Sequence, residues 1–152
     1  MVALTDPETP MDIALAEARA AMDRGEVPVG AAVVLDGAII ARDGNRTIER
    51  DDPTAHAEML VIRAAAGAVG SQRLTGADLY VTLEPCAMCA AAISFARIRR
   101  LYFGADDPKS GGVDHGPRFF SLGTCHHAPE VYSGIAESES AALLRRFFAE
   151  RR

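Results

Sequence analysis

The 152 residues, 49% of them hydrophobic and 24% charged, suffice for one domain burying about 70% of its unfolded surface, which excludes a disordered or fibrous chain. No apolar run approaches a membrane span, no charged-then-apolar leader opens the chain, and three cysteines cannot build a disulfide framework, so the expected setting is reducing, cytoplasmic and away from membranes. A net charge of −5 excludes a uniformly basic surface, and any hold on a polyanion must come from local clusters.

In chain order, Met1 to Pro10 mixes acidic and hydroxyl residues with Pro7 and Pro10 and reads as a loose tail. Met11 to Arg24 is an alanine-rich amphipathic helix closed by Gly25. Val29 to Leu35 and Ala38 to Arg42 form a hairpin around Asp36-Gly37, a two-residue turn signal. Thr54, after Asp52-Pro53, caps a helix through Ala55 to Arg63. Asp78 to Leu83 is a strand, Glu84-Pro85 a turn, and Cys86 to about Arg97 a second helix. A strand at Arg100 to Phe103 leads into a long glycine- and proline-bearing loop, Ala105 to His127. Val131 to Ile135 reads as a short last strand and Glu137 to Arg151 as a final helix. A hairpin followed by β-α-β units predicts an α/β fold, a three-layer α/β/α sandwich with a central mixed five-stranded sheet, over one domain spanning residues 1–152.

His56-Ala57-Glu58 and, thirty positions beyond the histidine, Pro85-Cys86-Ala87-Met88-Cys89 carry the chemistry. One imidazole and two thiolates supply three ligands for a tetrahedral zinc and leave a fourth position for water, the catalytic rather than the structural arrangement. Glu58, two residues past the histidine, is placed to move a proton without joining the ligands. Cysteines at i and i+3 share a helix face, and a helix start favours the thiolate. A redox Cys-x-x-Cys would leave His56 and Glu58 without a part, and a four-cysteine structural site lacks its cysteines, since only Cys125 remains. The joint H-x-E…P-C-x-x-C pattern is the signature of zinc nucleobase deaminases.

Together with Glu26-Val27-Pro28-Val29-Gly30-Ala31, Gly44-Asn45-Arg46, Asp52-Pro53-Thr54, Thr82-Leu83-Glu84, Arg97-Ile98, Phe103-Gly104-Ala105, Leu143-Leu144 and Phe147-Phe148, this pattern resembles the bacterial tRNA-specific adenosine deaminases, a branch of the cytidine-deaminase-like superfamily, from about Met11 to Arg152. The resemblance implies one zinc per subunit on His56, Cys86 and Cys89, with Glu58 as the proton shuttle. It implies a substrate surface that includes Asn45, Val29, Ala57, Lys109, Arg146 and Phe148, with Asn45 hydrogen-bonding a flipped base. It also implies a homodimer, to which the small, apolar Ala87 to Ala96 helix is suited, and the anticodon stem-loop of an arginine tRNA as substrate.

Other readings stand beside these. Asn45 after Gly44 is also an ordinary turn residue. Fifteen of the sixteen basic residues are arginines, clustered at Arg97, Arg99 and Arg100 and at Arg145, Arg146, Arg151 and Arg152, and such clusters serve phosphate binding or a solvated face. Pro108 and a short stretch between His127 and Val131 depart from the family pattern. Cys125, His126, His127 and His115 suit a surface loop better than a second metal site. The acidic balance suits deamination of a free guanine, cytosine or nucleoside, and a non-catalytic zinc-stabilised scaffold is a remoter alternative that Glu58 disfavours.

Overall fold

A computed structural model describes residues 8–151. The first helix, α1 (Pro10–Asp23), starts inside the expected tail, because Thr9 and Asp12 form a reciprocal capping box and Pro10 occupies the first turn, where it needs no N–H partner. Residues 1–7 of that tail lie outside the described residues. The hairpin β1 (Gly30–Leu35) and β2 (Ala38–Gly44) turns at Asp36 and Gly37, both with positive φ as a two-residue turn of this kind requires.

The second helix, α2 (Ala57–Val69), begins two residues later than Thr54 predicts. Asp52 Oδ1 accepts both the hydroxyl and the backbone N–H of Thr54, closing a local turn that takes the threonine away from the helix. The first N–H of α2, on Ala57, is capped instead from the end of β2 by Asn45 Oδ1 at 2.8 Å. Strand β3 (Asp78–Leu83), helix α3 (Ala87–Phe95) and strand β4 (Arg100–Ala105) follow. Helix α3 stops at Phe95, two residues short of the expected Arg97, which adopts a left-handed φ of 62°. The last strand, β5 (Glu130–Tyr132), is shorter than predicted because Gly134, at φ 77°, turns the chain so that Ile135 N–H reaches Phe103 O. Helix α4 (Glu137–Glu150) ends the described chain.

The sheet order is β2-β1-β3-β4-β5, with β1 antiparallel to both neighbours and β3, β4 and β5 parallel. Helices α1 and α4 cover one face and α2 and α3 the other, the three-layer sandwich expected from the element order. Strand alternation divides the core accordingly. Leu79, Val81, Leu101 and Phe103 pack with Val61 of α2 and Ile93 of α3, whereas Tyr80 and Tyr102 turn to Met11 and Leu15 of α1 and Leu143 of α4. Gly30 and Gly44, paired across the hairpin, lie so close to the α1 backbone at Ala14 and Glu17 that a Cβ on either would collide with it. Among the described residues no helix is long and apolar enough to cross a membrane.

This topology brings the start of β1, the end of β2 and the end of β3 to one end of the sheet, where the first turns of α2 and α3 also meet. Crevices at the carboxyl ends of parallel strands are the usual binding position in such folds.

Candidate active site

His56 and Cys86 are the N-cap residues of α2 and α3, and Cys89 lies one turn into α3. His56 Nδ1 is 3.6 Å from Cys86 Sγ and 3.5 Å from Cys89 Sγ, and the three ligand atoms lie within 4.8 Å of one another. A tetrahedral zinc ~2.3 Å from sulfur and ~2.0–2.1 Å from nitrogen sets S and N about 3.5–3.6 Å apart, so the donors already stand at the edges of such a tetrahedron. Their chemistry agrees. Cys86 is pulled down to about 4, first by its hydrogen bond with Cys89 and then by burial-opposing contacts with His56, while Cys89 is pushed up by the same Cys86 bond and by burial. A dication between the two sulfurs favours the ionised form of both, as zinc ligation requires. These residues fit zinc.

Glu58, 4% exposed, sits in the first turn of α2 and is not one of the three clustered donors. Burial pushes its carboxyl up to about 7, against the pull of its own backbone N–H and of His56. A carboxyl near neutrality can both take and return a proton, and a dication beside it draws the value back down.

A cavity of about 230 Å³ opens over these groups, lined by His56, Glu58, Cys86, Asn45, Val29, Thr47 and Leu83 among others. Asn45 is held at three points: its N–H donates to Val29 O, its carbonyl accepts from Arg24 Nη2, and its Oδ1 accepts from Ala57 N–H. Because a backbone N–H demands an acceptor, the amide orientation is forced, and its NH₂ is left as the donor end at the cavity. Val29, 5% exposed, forms part of the wall, whereas the Ala57 side chain is wholly buried in the core and only its N–H reaches toward the site, through Asn45.

A second cleft of about 480 Å³ shares Val27, Leu83, Asp107 and Ser110 with the first cavity and continues past Lys109 to Leu144 and Phe148 on α4. Phe147 and Phe148 are divided in role: Phe147 is buried under the Arg151 guanidinium, 3.6 Å from its ring, and Phe148 is 52% exposed at the cleft. Arg146 is exposed and paired with Glu150 at 3.2 Å, outside the cleft lining, and Arg152 lies outside the described residues.

The other arginine cluster does not join the site. Arg99 and Arg100 stand at the opposite end of the sheet, Arg99 in a two-pronged pair with Asp78 and Arg100 paired with Glu130. Cys125 and His127 do not gather a metal either. Cys125 Sγ and Ser94 Oγ both donate to His127 O, and His127 Nε2 bonds Ile98 O, fastening this stretch to α3; among the described residues the single metal-capable group is His56, Cys86 and Cys89.

Two buried carboxylates escape the sequence reading. Glu84, beside the turn into Cys86, collects donors from the 107–115 loop, which outweigh the upward push of burial and hold its carboxyl below the usual range. Glu26 accepts from Ile48 N–H, Glu49 N–H and the Thr47 hydroxyl, which likewise outweigh burial. A carboxyl depressed in the folded state stabilises the fold above its unfolded pKa and loses that contribution as pH falls through the folded value. The thermal midpoint is therefore expected to fall between pH 6 and pH 4 more steeply in the wild type than in Glu26→Gln; parallel pH profiles by calorimetry contradict this role.

The signal that could have marked both is a lone carboxylate among apolar residues just past an element's end, as in Leu83-Glu84-Pro85 after β3 and Gly25-Glu26-Val27 after α1.

The cytidine and deoxycytidylate deaminase zinc-binding region matches residues 4–105. A tRNA-specific adenosine deaminase from Agrobacterium fabrum is 70% identical over 142 residues, 93% of each chain. A solved structure from studies of A-to-I editing by tRNA:A34 deaminases at the wobble position of transfer RNA has a TM-score of 0.88 and 70% identity, covering 89% of this chain and 98% of that one. The guanine deaminase structure from Bacillus subtilis has a TM-score of 0.65 and 31% identity, covering 97% of this chain and 94% of that one.

Proposed function

The chain belongs to the zinc-dependent cytidine and deoxycytidylate deaminase family, among its tRNA-specific adenosine deaminases, and from that membership we propose that it converts the wobble adenosine of a tRNA anticodon loop to inosine and ammonia. The observation that carries this reading is the continuity of the two cavities. A free base needs only the smaller one over Glu58; the larger cleft opening from it toward Phe148 suits nucleotides flanking a base that has been turned inward.

In this reading the 152 residues act as one domain. His56, Cys86 and Cys89 would hold one zinc, which when bound would acidify a water. Glu58 takes a proton from the attacking water and returns it to the ring nitrogen. It then carries a second proton to the amino group, so that the C6–N bond breaks as C6–O is kept and ammonia departs. The Asn45 NH₂ donates to an acceptor on the purine edge, and Val29 with Ala57 behind it shapes the wall. Lys109 at the cleft and Arg146, exposed on α4 outside it, meet phosphates, and Phe148 stacks on a flanking base. An arginine tRNA in the cytoplasm is the expected substrate, and the test is an arginine-tRNA anticodon stem-loop incubated with the zinc-loaded protein. Inosine at the wobble position supports the reading; unchanged adenosine after prolonged incubation defeats it.

Replacing Arg145, Arg146, Arg151 and Arg152 together is expected to weaken stem-loop binding and flatten its salt dependence, each lost phosphate contact lowering the log–log slope by ~0.7–0.9. An unchanged slope in titrations from low to high salt removes α4 from the RNA surface.

We further propose a homodimer. Phe95, 72% exposed at the end of α3, borders a surface cleft with Ile62, Ala66 and Ala92, an apolar face that a second copy would cover. Light scattering at micromolar concentration should give twice the 16.1 kDa of one chain, and a monomer mass refutes the assembly.

A second reading, deamination of free guanine, is favoured by the likeness to the Bacillus subtilis guanine deaminase and by the net charge of −5. The 70% identity to a tRNA-specific relative outweighs it.

A further inference from the structure

We propose that Glu84 is a positioning residue that fastens the 107–115 loop to the turn entering the first metal ligand, and thereby sets the affinity for RNA. The inference rests on the tRNA deaminase reading. Glu84 is the last residue before Pro85-Cys86, and its side chain is fully buried. Its Oε1 accepts from Asp107 N–H at 3.0 Å and bonds His115 Nδ1 at 2.7 Å. Its Oε2 accepts from the N–H groups of Val113, Asp114 and His115 at 3.2, 3.0 and 3.1 Å. Five donors on one carboxylate exceed its roughly four lone-pair sites, so no acceptor capacity remains for a substrate even though Glu84 borders the cavity.

What the carboxylate holds is the floor of the RNA cleft. Asp107 and Ser110 line both cavities and Lys109 lines the larger one, all on the segment that Glu84 gathers. The segment is tied down at other points as well: Gly111 N–H bonds Asp107 O, and Gly112 N–H bonds Pro85 O, which joins the loop to the ligand turn at a further point. There is little room for slack, since a Cβ at Gly111 would strike the Glu84 carboxylate and one at Gly112 would strike the Ala87 backbone. Glutamine at position 84 keeps the volume but turns one acceptor oxygen into an NH₂ facing backbone N–H donors, leaving buried donors unpaired. The loop is then held less firmly, whereas Glu58 and the three metal donors keep their places.

The chain supplies its own reporter. Lys109 is its only lysine, so a lysine-specific protease can cut the native protein at one position, inside this loop. Cleavage needs the segment to open, and its rate follows the open population. In zinc-loaded Glu84→Gln, the cut at Lys109 is expected to be about tenfold faster and KM for the anticodon stem-loop about tenfold higher, with kcat falling less and zinc still at one per chain. Glu84→Asp, which keeps a carboxylate, should recover part of both. His115→Gln removes a single one of the five bonds and should give a smaller rise in each, which keeps the test intact if Glu84→Gln does not fold. Wild-type cutting rate and KM in Glu84→Gln overturn the proposal, as does loss of zinc and kcat with KM and cutting rate unchanged. If the wild type fails to deaminate the stem-loop, the underlying tRNA reading is at fault, and the protease arm still reports on the loop.

Discussion

Glu58→Ala is expected to keep one zinc per chain while kcat on the stem-loop falls by at least ~10²–10⁴-fold, the usual contribution of positioned general acid–base catalysis. Metal should be retained because the carboxylate is not among the clustered donors, and because alanine is a good helix former in the first turn of α2. The fold should gain from the change. Burial holds the Glu58 carboxyl up near 7, so ionising it in the folded protein is unfavourable, and that penalty grows as pH rises above the ordinary carboxylate range. Metal-free Glu58→Ala should therefore exceed metal-free wild type in thermal midpoint by more at pH 8 than at pH 5. Such an exchange of stability for chemistry is common where a buried ionisable group is kept for function. Near-normal turnover in Glu58→Ala, with zinc in place, contradicts the proton-shuttle role.

Cys89→Ala should abolish both metal and turnover. Cys89 is wholly buried, and it supplies one of only three donors. The variant leaves one imidazole and one thiolate, a weak pair for zinc. Because His56 and Cys86 begin α2 and α3, a bound metal ties the starts of two helices, and its binding energy is also folding energy. A chelator should therefore lower the thermal midpoint of the wild type and leave that of Cys89→Ala unchanged. Metal analysis that finds full zinc in Cys89→Ala, with activity intact, removes this cysteine from the site.

The sequence makes the metal donors legible because their identity is chemical and their spacing local. Histidine and cysteine are uncommon residues, and each set falls at the start of a helix that periodicity can locate. The layers follow from element order, and the Asp36-Gly37 turn sets the hairpin pairing only as far as Val34 and Ile39, beyond which the register shifts by one residue. What escapes is whatever depends on backbone donors far away in the chain. Glu84 is held by N–H groups 23 to 31 residues distant, which any amino acid there could provide, so no residue pattern announces them. Thr54 looks like the cap of α2 because its true competitor, Asp52, acts through a local turn, and because the real cap, Asn45, comes from β2. Arg99 and Arg100 resemble phosphate binders until strand register sets Asp78 and Glu130 beside them. The division between buried Phe147 and exposed Phe148 is the opposite case, following directly from the ~100° turn between adjacent helical positions.

The most direct test is the ratio of kcat/KM for the arginine-tRNA anticodon stem-loop to kcat/KM for free guanine, cytosine and adenosine, scored by ammonia release from one zinc-loaded preparation. The cleft running from the Glu58 cavity to Phe148 predicts a large preference for the stem-loop, with free adenosine a poor substrate. Faster turnover of free guanine or cytosine than of the stem-loop would contradict the account and assign the chain to the small-molecule deaminases.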